Sequence, residues 1–217
     1  MIAELVPDER TLLERKAKRS LLWIGVISIL MLFAGLTSGY IVRQGEGKWV
    51  QFDLPMTFAV STVIIALSSI PMQWASVSAK KGNQKNLVIA LIITSLLGVA
   101  FVISQYIAWS ELFRQGIAFS GRIKDIKGNF QYIPAGTESA TEAGDAGNVA
   151  GSFLYVITGL HVMHVLGGII ALFVVFSRAL RKKYSPENFN GVRMCAVYWH
   201  FLGLLWVYLF FFLLYVR

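Results

Sequence analysis

Apolar residues in this chain come in five long blocks instead of alternating with polar ones. The blocks run Leu21–Val42, Leu54–Ala79, Leu87–Ser110, Phe153–Ser177 and Met194–Val216, and none contains Asp, Glu, Lys or Arg. Each is longer than the ~20 residues a helix needs to cross the ~30 Å hydrocarbon core of a bilayer. Strands of a membrane barrel are shorter and alternate in polarity, so they do not give such runs. The pattern predicts an all-α integral membrane protein, a five-transmembrane-helix bundle with spans at about 21–42, 54–79, 87–113, 151–180 and 192–216. Residues 1–20 read as a cytoplasmic lead-in and 21–217 as one membrane domain.

The residues between and within the blocks refine this picture. Pro55 opens the second block, where its missing N–H costs least. Pro71 lies inside that block and predicts a kink. Gly82-Asn83 predicts a tight turn. The first block starts at residue 21 and is too long for the h-region of a cleavable signal, so it is expected to be a span. In the lead-in, Asp8-Glu9-Arg10-Thr11-Leu12-Leu13-Glu14-Arg15 mixes charges at helical spacing and suits a surface helix. The connection 114–150 is the longest. Its stretch Glu138 to Gly147 is small and polar, and is expected to be flexible or ordered only by a partner.

Charge sets the orientation. The chain carries 20 Lys and Arg against 12 Asp and Glu, a net +8. Thirteen of the basic residues fall in the lead-in and in the connections after the second and fourth blocks, among them Lys80, Lys81, Arg178, Arg181, Lys182, Lys183 and Arg193. Seven fall on the other side, including Arg43, Lys48, Arg114 and Arg217. The positive-inside rule then places the N-terminus in the cytoplasm and the C-terminus outside. The basic clusters read as topology signals and contacts to anionic membrane lipids. No nucleic-acid recognition motif accompanies them. Cys195 is the single cysteine, which excludes an internal disulfide, a CxxC redox pair and a CxxCH haem attachment.

Candidate chemistry is confined to His161, His164 and His200, all inside the apolar blocks. An ionisable group in hydrocarbon marks a site or a contact facing the bundle. His161 and His164 are i, i+3 and share a helix face, so they cannot clamp one porphyrin between them. At ~1.5 Å per residue, His164 lies ~16 Å from the outer end of its block and His200 ~9 Å from the inner end of its own. Their depths are therefore comparable. Three roles compete. The histidines could ligate haem or zinc, relay protons, or serve as neutral packing groups. In that last role they tie helices four and five together or touch a lipid or a partner subunit. A di-iron site would need inward carboxylates, and the blocks have none. A relay also lacks a transmembrane acid, since Glu111 lies at the outer end of helix three. The packing role is the default, with Ser152, Thr158 and Tyr198 as candidate partners. No GxSxG, HExxH or P-loop is present.

Tryptophans and glycines point to the bundle interior. Trp23, Trp49, Trp74 and Trp109 fall at block ends, as an aromatic belt requires. Trp199 and Trp206 do not, and with Gly203 they share one face at i, i+4, i+7 spacing. That predicts tight packing on another helix. Gly35 and Gly39 form a GxxxG pair in helix one.

Several of these motifs resemble one family. The run Thr158-Gly159-Leu160-His161-Val162-Met163-His164-Val165, with Gly151-Ser152-Phe153 before it and Gly167 behind, is similar to the signature of subunit III of haem–copper terminal oxidases. Trp199-His200-Phe201-Leu202-Gly203-Leu204-Leu205-Trp206 resembles that family's W-H-F-x-D-x-x-W pattern, and Arg193 fits the stretch before it. Leu32-Phe33-Ala34-Gly35-Leu36 with Tyr40, and Leu67-Ser68-Ser69, are supporting matches. The five-span form is similar to the shorter bacterial members, which lack the first helix pair of seven-helix relatives. In those relatives lipid fills a cleft beside that pair, so here bound phospholipid or another subunit is expected to cover the exposed face.

Three family carboxylates are replaced in this chain: by Ile29, by Ala108 within Gln105-Tyr106-Ile107-Ala108-Trp109, and by Gly203. Roles that rest on those acids lose their basis, and Glu111 lies one turn from the second. The resemblance implies a multi-pass subunit of the bacterial cytoplasmic membrane with its C-terminus in the periplasm. It would hold no catalytic, cofactor-binding or metal-binding residue. Haem and copper would sit in the partner subunit, where oxygen is reduced to water and protons are pumped. His161, His164, Arg193, Trp199, His200 and Trp206 would then be packing or lipid contacts. Subunit I is the principal partner implied, with subunit II, small subunits and a larger respiratory supercomplex beyond it. The family role includes protecting the oxygen-reducing centre from inactivation and aiding oxygen or proton supply. Two alternatives stay open: an accessory subunit of a nitric oxide reductase, and a small haem-bearing membrane anchor or histidine-dependent membrane enzyme.

Overall fold

The computed structural model describes residues 7–45, 53–115, 117, 119, 122–126, 129–133, 145–147 and 149–216. The expectations for Lys48, Trp49, Arg217 and the stretch from Glu138 to Gly144 lie outside the described residues. Five helices carry the fold: α1 (Pro7–Gln44), α2 (Met56–Lys80), α3 (Gln84–Arg114), α4 (Val149–Leu180) and α5 (Asn190–Tyr215). All five are long and apolar enough to cross a membrane. α1 runs without a break through residue 21, so the described part of the lead-in is a continuation of the first span. On that extension Lys18 pairs with Glu14 at 3.7 Å, both exposed.

These helices are apolar yet rich in hydroxyls, and the hydroxyls are matched locally. Ser28, Thr94 and Ser95 each donate to the carbonyl four residues earlier, all at 2.8 Å. Such back-bonding lets Ser and Thr sit in hydrocarbon without an orphan donor. Pro55 precedes α2, and its carbonyl accepts from the Phe58 amide at 3.0 Å. The helix continues through Pro71 to Lys80. The α2–α3 turn needs a glycine. Gly82 has φ +71°, and a Cβ there would lie 3.2 Å from Pro186 Cγ. The Asn83 side chain then caps α3 by accepting from the Asn86 amide at 3.2 Å. Gln84 donates to the Ala179 carbonyl, tying the start of α3 to the end of α4.

α2, α3, α4 and α5 form a closed ring in which each helix packs on the next, while α1 lies outside against α4 and α5. Only 17% of the most apolar window of α1 is buried, against 28–39% for the other four. α1 docks through Phe33 and Tyr40, both buried. The Tyr40 ring meets Phe212 at 5.3 Å and Phe153 at 6.0 Å. Of the GxxxG pair, Gly39 faces Phe153, 3.6 Å from where its Cβ would be, and Gly35 has nothing within 4 Å. Half of that motif is thus used within the chain.

One side chain locks the ring. Trp199 of α5 is buried and enters a slot between two glycines. A Cβ on Gly98 of α3 would lie 2.6 Å from Trp199 Cη2, and one on Gly168 of α4 would lie 3.4 Å from Cζ3. The indole N–H donates to Ser68 Oγ of α2 at 2.9 Å. Trp199 therefore touches all three other helices of the ring.

In the connection 114–150 the described residues include a small sheet that the sequence reading did not expect, and of the stretch Glu138 to Gly147 only 145–147, in β3, are described. Strands β1 (Arg122–Ile126), β2 (Asn129–Ile133) and β3 (Asp145–Gly147) form an antiparallel sheet in the order β2-β1-β3. Arg122 pairs with Ile133 on one side and Gly147 on the other. The alternation in Asn129-Phe130-Gln131-Tyr132-Ile133 is a strand signal, and the two residues between β1 and β2 suit a hairpin. The small polar stretch after β2 masked both. The five segments long and apolar enough to cross a membrane are all helices.

The slot gives a direct expectation. Gly98→Ala places a methyl against a rigid ring and costs about 1–3 kcal/mol. Gly35→Ala, with open space around it, is neutral or slightly stabilising. Thermal unfolding of the two variants in detergent separates them, and equal stability would show that the slot does not constrain the ring.

Candidate functional site: the aromatic core around His161

The second tryptophan organises the layer above Trp199. Trp206 is fully buried. Its N–H donates to Thr62 Oγ1 of α2 at 3.0 Å. Its ring lies 6.1 Å from Phe58 of α2 in a stacked arrangement and 5.1 Å from Phe101 of α3 edge-on. The imidazole of His161 sits 4.9 Å from it, tilted by 36°. His161 is also fully buried, and meets Phe101 at 5.9 Å and Phe33 of α1 at 6.2 Å. Aromatic contacts at these spacings contribute about 0.5–1.5 kcal/mol each beyond area burial.

His164 lies one turn along, half-buried. Its Nδ1 bonds the Leu160 carbonyl of its own helix at 2.7 Å, and its ring meets Phe33 at 5.8 Å. The link between α4 and α5 at this level runs through the backbone: Tyr198 Oη donates to the His164 carbonyl at 3.3 Å. The other expected partners are engaged elsewhere. Thr158 accepts from Trp109 Nε1 at 3.1 Å and donates to the Leu154 carbonyl at 2.7 Å. Ser152 donates to the Phe119 carbonyl at 2.6 Å. His200 is half-buried and Arg193 is exposed at the start of α5.

The three histidines are thus not gathered into one site. Among the described residues, no group of three or more His, Cys, Asp or Glu side chains could hold a metal ion. The His161 ring is enclosed by Phe33, Phe101 and Trp206, which does not fit a porphyrin stacked over an axial imidazole. The positions without acids are inward ones. Ala108 is fully buried, Gly203 faces Ser69 and Ile65 of α2, and Ile29 packs on the core from α1. Glu111 accepts from Thr57 Oγ1 at 2.7 Å, which ties the end of α3 to the start of α2.

Sequence reasoning missed the partners on α2 and α3. Thr62 and Ser68 receive the two indole N–H groups, and Ser61 receives the Gln105 amide at 2.7 Å. The recurrence of Thr57, Ser61, Thr62 and Ser68 along α2 was the available signal, since a hydroxyl in a span needs a partner. These features define the class: a polytopic helical-bundle membrane protein whose distinctive residues on α4 and α5 are spent on joining helices.

Comparison with known proteins agrees with that class and narrows it. Residues 129–217, which include α4 and α5, match the family model described as cytochrome c oxidase subunit III. A probable cytochrome c oxidase subunit 3 from Nocardia farcinica is 28% identical over 204 residues, covering 91% of this chain and 86% of the relative. The counterpart from Mycobacterium leprae is 29% identical over 203 residues, with the same coverage. A cytochrome c oxidase subunit 3 from Thermostichus vulcanus is 27% identical over 197 residues, covering 87% and 82%. Over α4 and α5 in the family model, and over most of its length in these relatives, the chain is similar to subunit III of cytochrome c oxidases.

Removing one hydroxyl tests the packing. Ser68→Ala leaves the Trp199 N–H buried without its acceptor and lowers stability by about 1–3 kcal/mol. A melting temperature unchanged from wild type would mean that the indole is not held as described.

Proposed function

We propose that this chain is subunit III of a bacterial haem–copper terminal oxidase, a non-redox subunit that supports oxygen reduction and proton pumping by a partner subunit. One observation carries the reading. The family-pattern residues His161, Trp199 and Trp206 pack on one another's layers and on α1, α2 and α3. They form joints between helices, and the electron-transfer groups belong to the partner. Subunit I is the principal partner we propose, with subunit II and small subunits beyond it. The chain itself supplies no haem or metal ligand. We also propose phospholipid bound at the inner end of α4. A groove of about 270 Å³ there, lined by Phe173, Val174, Ser177, Arg178, Arg181 and Lys183, supports it by combining apolar walls with cations. The N-terminus lies in the cytoplasm and the C-terminus in the periplasm in this reading.

Purification from the native membrane through a tag on this chain is expected to bring down a subunit carrying haem and copper. A nitric oxide reductase in its place would overturn the oxidase reading. In a Cys195→Ala background, a single cysteine placed at Lys182 is expected to react only with membrane-permeant reagents. Labelling from the periplasm would reverse the orientation.

His164→Ala removes a ring that joins α4 to Phe33 of α1. The variant is expected to retain less subunit I after purification, with haem absorbance bands at wild-type positions. A band shift at unchanged subunit content would contradict a packing role.

A further inference from the structure

Two of the most deeply buried polar groups in the bundle are incompletely matched. Gln105 and His161 are both fully buried. The Gln105 amide donates to Ser61 Oγ at 2.7 Å, and Ser61 donates onward to the Phe58 carbonyl at 2.8 Å. Gln105 Oε1 and both ring nitrogens of His161 have no hydrogen-bond partner among the described residues. Turning the amide over changes which of its atoms meets Ser61 and still strands the other. Changing the tautomer of His161 moves its proton and still leaves one N–H and one lone pair. Buried polar groups are nearly always matched, by protein or by internal water. The demand is stronger in a membrane, where bulk water is absent.

The stranded groups share one depth. α3 and α4 flank a single connection and run in opposite directions. Trp109 of α3 donates to Thr158 of α4 at 3.1 Å, which sets those two residues level. Counting back to Gln105 on α3 and on to His161 on α4 brings the two within about one residue rise, ~1.5 Å. The His161 ring faces α3, since it meets Phe101, one turn from Gln105.

We infer that an internal water molecule sits between α3 and α4 at this level, accepting from the His161 N–H and donating to Gln105 Oε1. Along the bridge the hydrogen-bond polarity closes: the imidazole N–H supplies a donor, the amide oxygen supplies an acceptor, and water provides both functions; the lone pair on the other ring nitrogen of His161 is not part of the bridge. Water is the ligand class that fits. The rings of Phe33, Phe101 and Trp206 around His161 keep the space small. An ion would meet no countercharge, because no Asp, Glu, Lys or Arg is buried among the described residues. The result is a polar cross-link, Ser61–Gln105–water–His161, through three helices of the ring. It fixes their relative depth, which apolar contacts alone leave free to slide. The inference stands independently of the oxidase reading.

The test uses the protein as it leaves the native membrane, with whatever subunits accompany it. Gln105→Leu and His161→Phe each strand the remaining partner, so each lowers the melting temperature of the subunit by several degrees. The double variant removes both polar groups and regains most of the loss. A double-variant loss equal to the sum of the two would overturn the bridge. Infrared spectroscopy of the wild-type protein supplies a second reading that needs no variant to fold. Exchange into H2(18)O is expected to shift the stretching band of an immobilised internal water, and absence of any such band would also overturn the inference.

Discussion

The arrangement of this bundle depends on the seating of Trp199. In a bilayer, lipid tails are as apolar as leucine, so hydrophobic burial does not choose which helices meet. Close packing and hydrogen bonds must do so. The Trp199 indole enters a space that exists only because positions 98 and 168 are glycine, and its N–H reaches the hydroxyl of Ser68. One side chain of α5 thereby fixes the lateral position of α3 and α4 and the depth of α2. Trp206 repeats the device two turns further along α5, with Thr62 as acceptor and Phe58, Phe101 and His161 around the ring. Two turns of α5 set the register of the whole ring.

This explains why α1 differs from the others. Its Trp23 is exposed, and among the described residues no indole of the ring donates to it. It rests on the finished ring through Phe33, against His161 and His164, and through Tyr40, against Phe153 and Phe212. Most of its surface, including Ile24, Ile27, Leu30 and Met31, is exposed and apolar, as suits a helix whose remaining neighbours are lipid or other subunits.

The spans were readable because hydrocarbon imposes a length and excludes charge, and five blocks met both conditions. The seating of Trp199 and Trp206 was readable in outline from their spacing with Gly203. Their acceptors were not. A serine in a span can always bond its own helix, as Ser28 does, so its sequence position does not reveal whether it also receives a bond from elsewhere. The histidines show a similar limit. Their spacing excluded a porphyrin between His161 and His164, yet only the structure shows that His161 lies in the aromatic core while His164 bonds its own backbone. The small sheet was missed because low-complexity polar residues on one side of it obscured a short alternating pattern on the other. The orientation rests on charge asymmetry alone.

Three acids that the family pattern would place inward are here Ile29, Ala108 and Gly203, and the interior around them is packed. On the reading proposed above, a subunit built this way acts by shape and contact, through the neighbour it holds. On the proposed reading, this chain joins a haem–copper subunit without binding a redox group itself. The most direct measurement is the haem and metal content of the chain after it is separated in mild detergent from the complex it purifies with. Haem, copper and iron are all expected to stay with the partner subunits, leaving well under one equivalent on this chain. One equivalent of haem or metal retained by the folded, separated chain would contradict that reading.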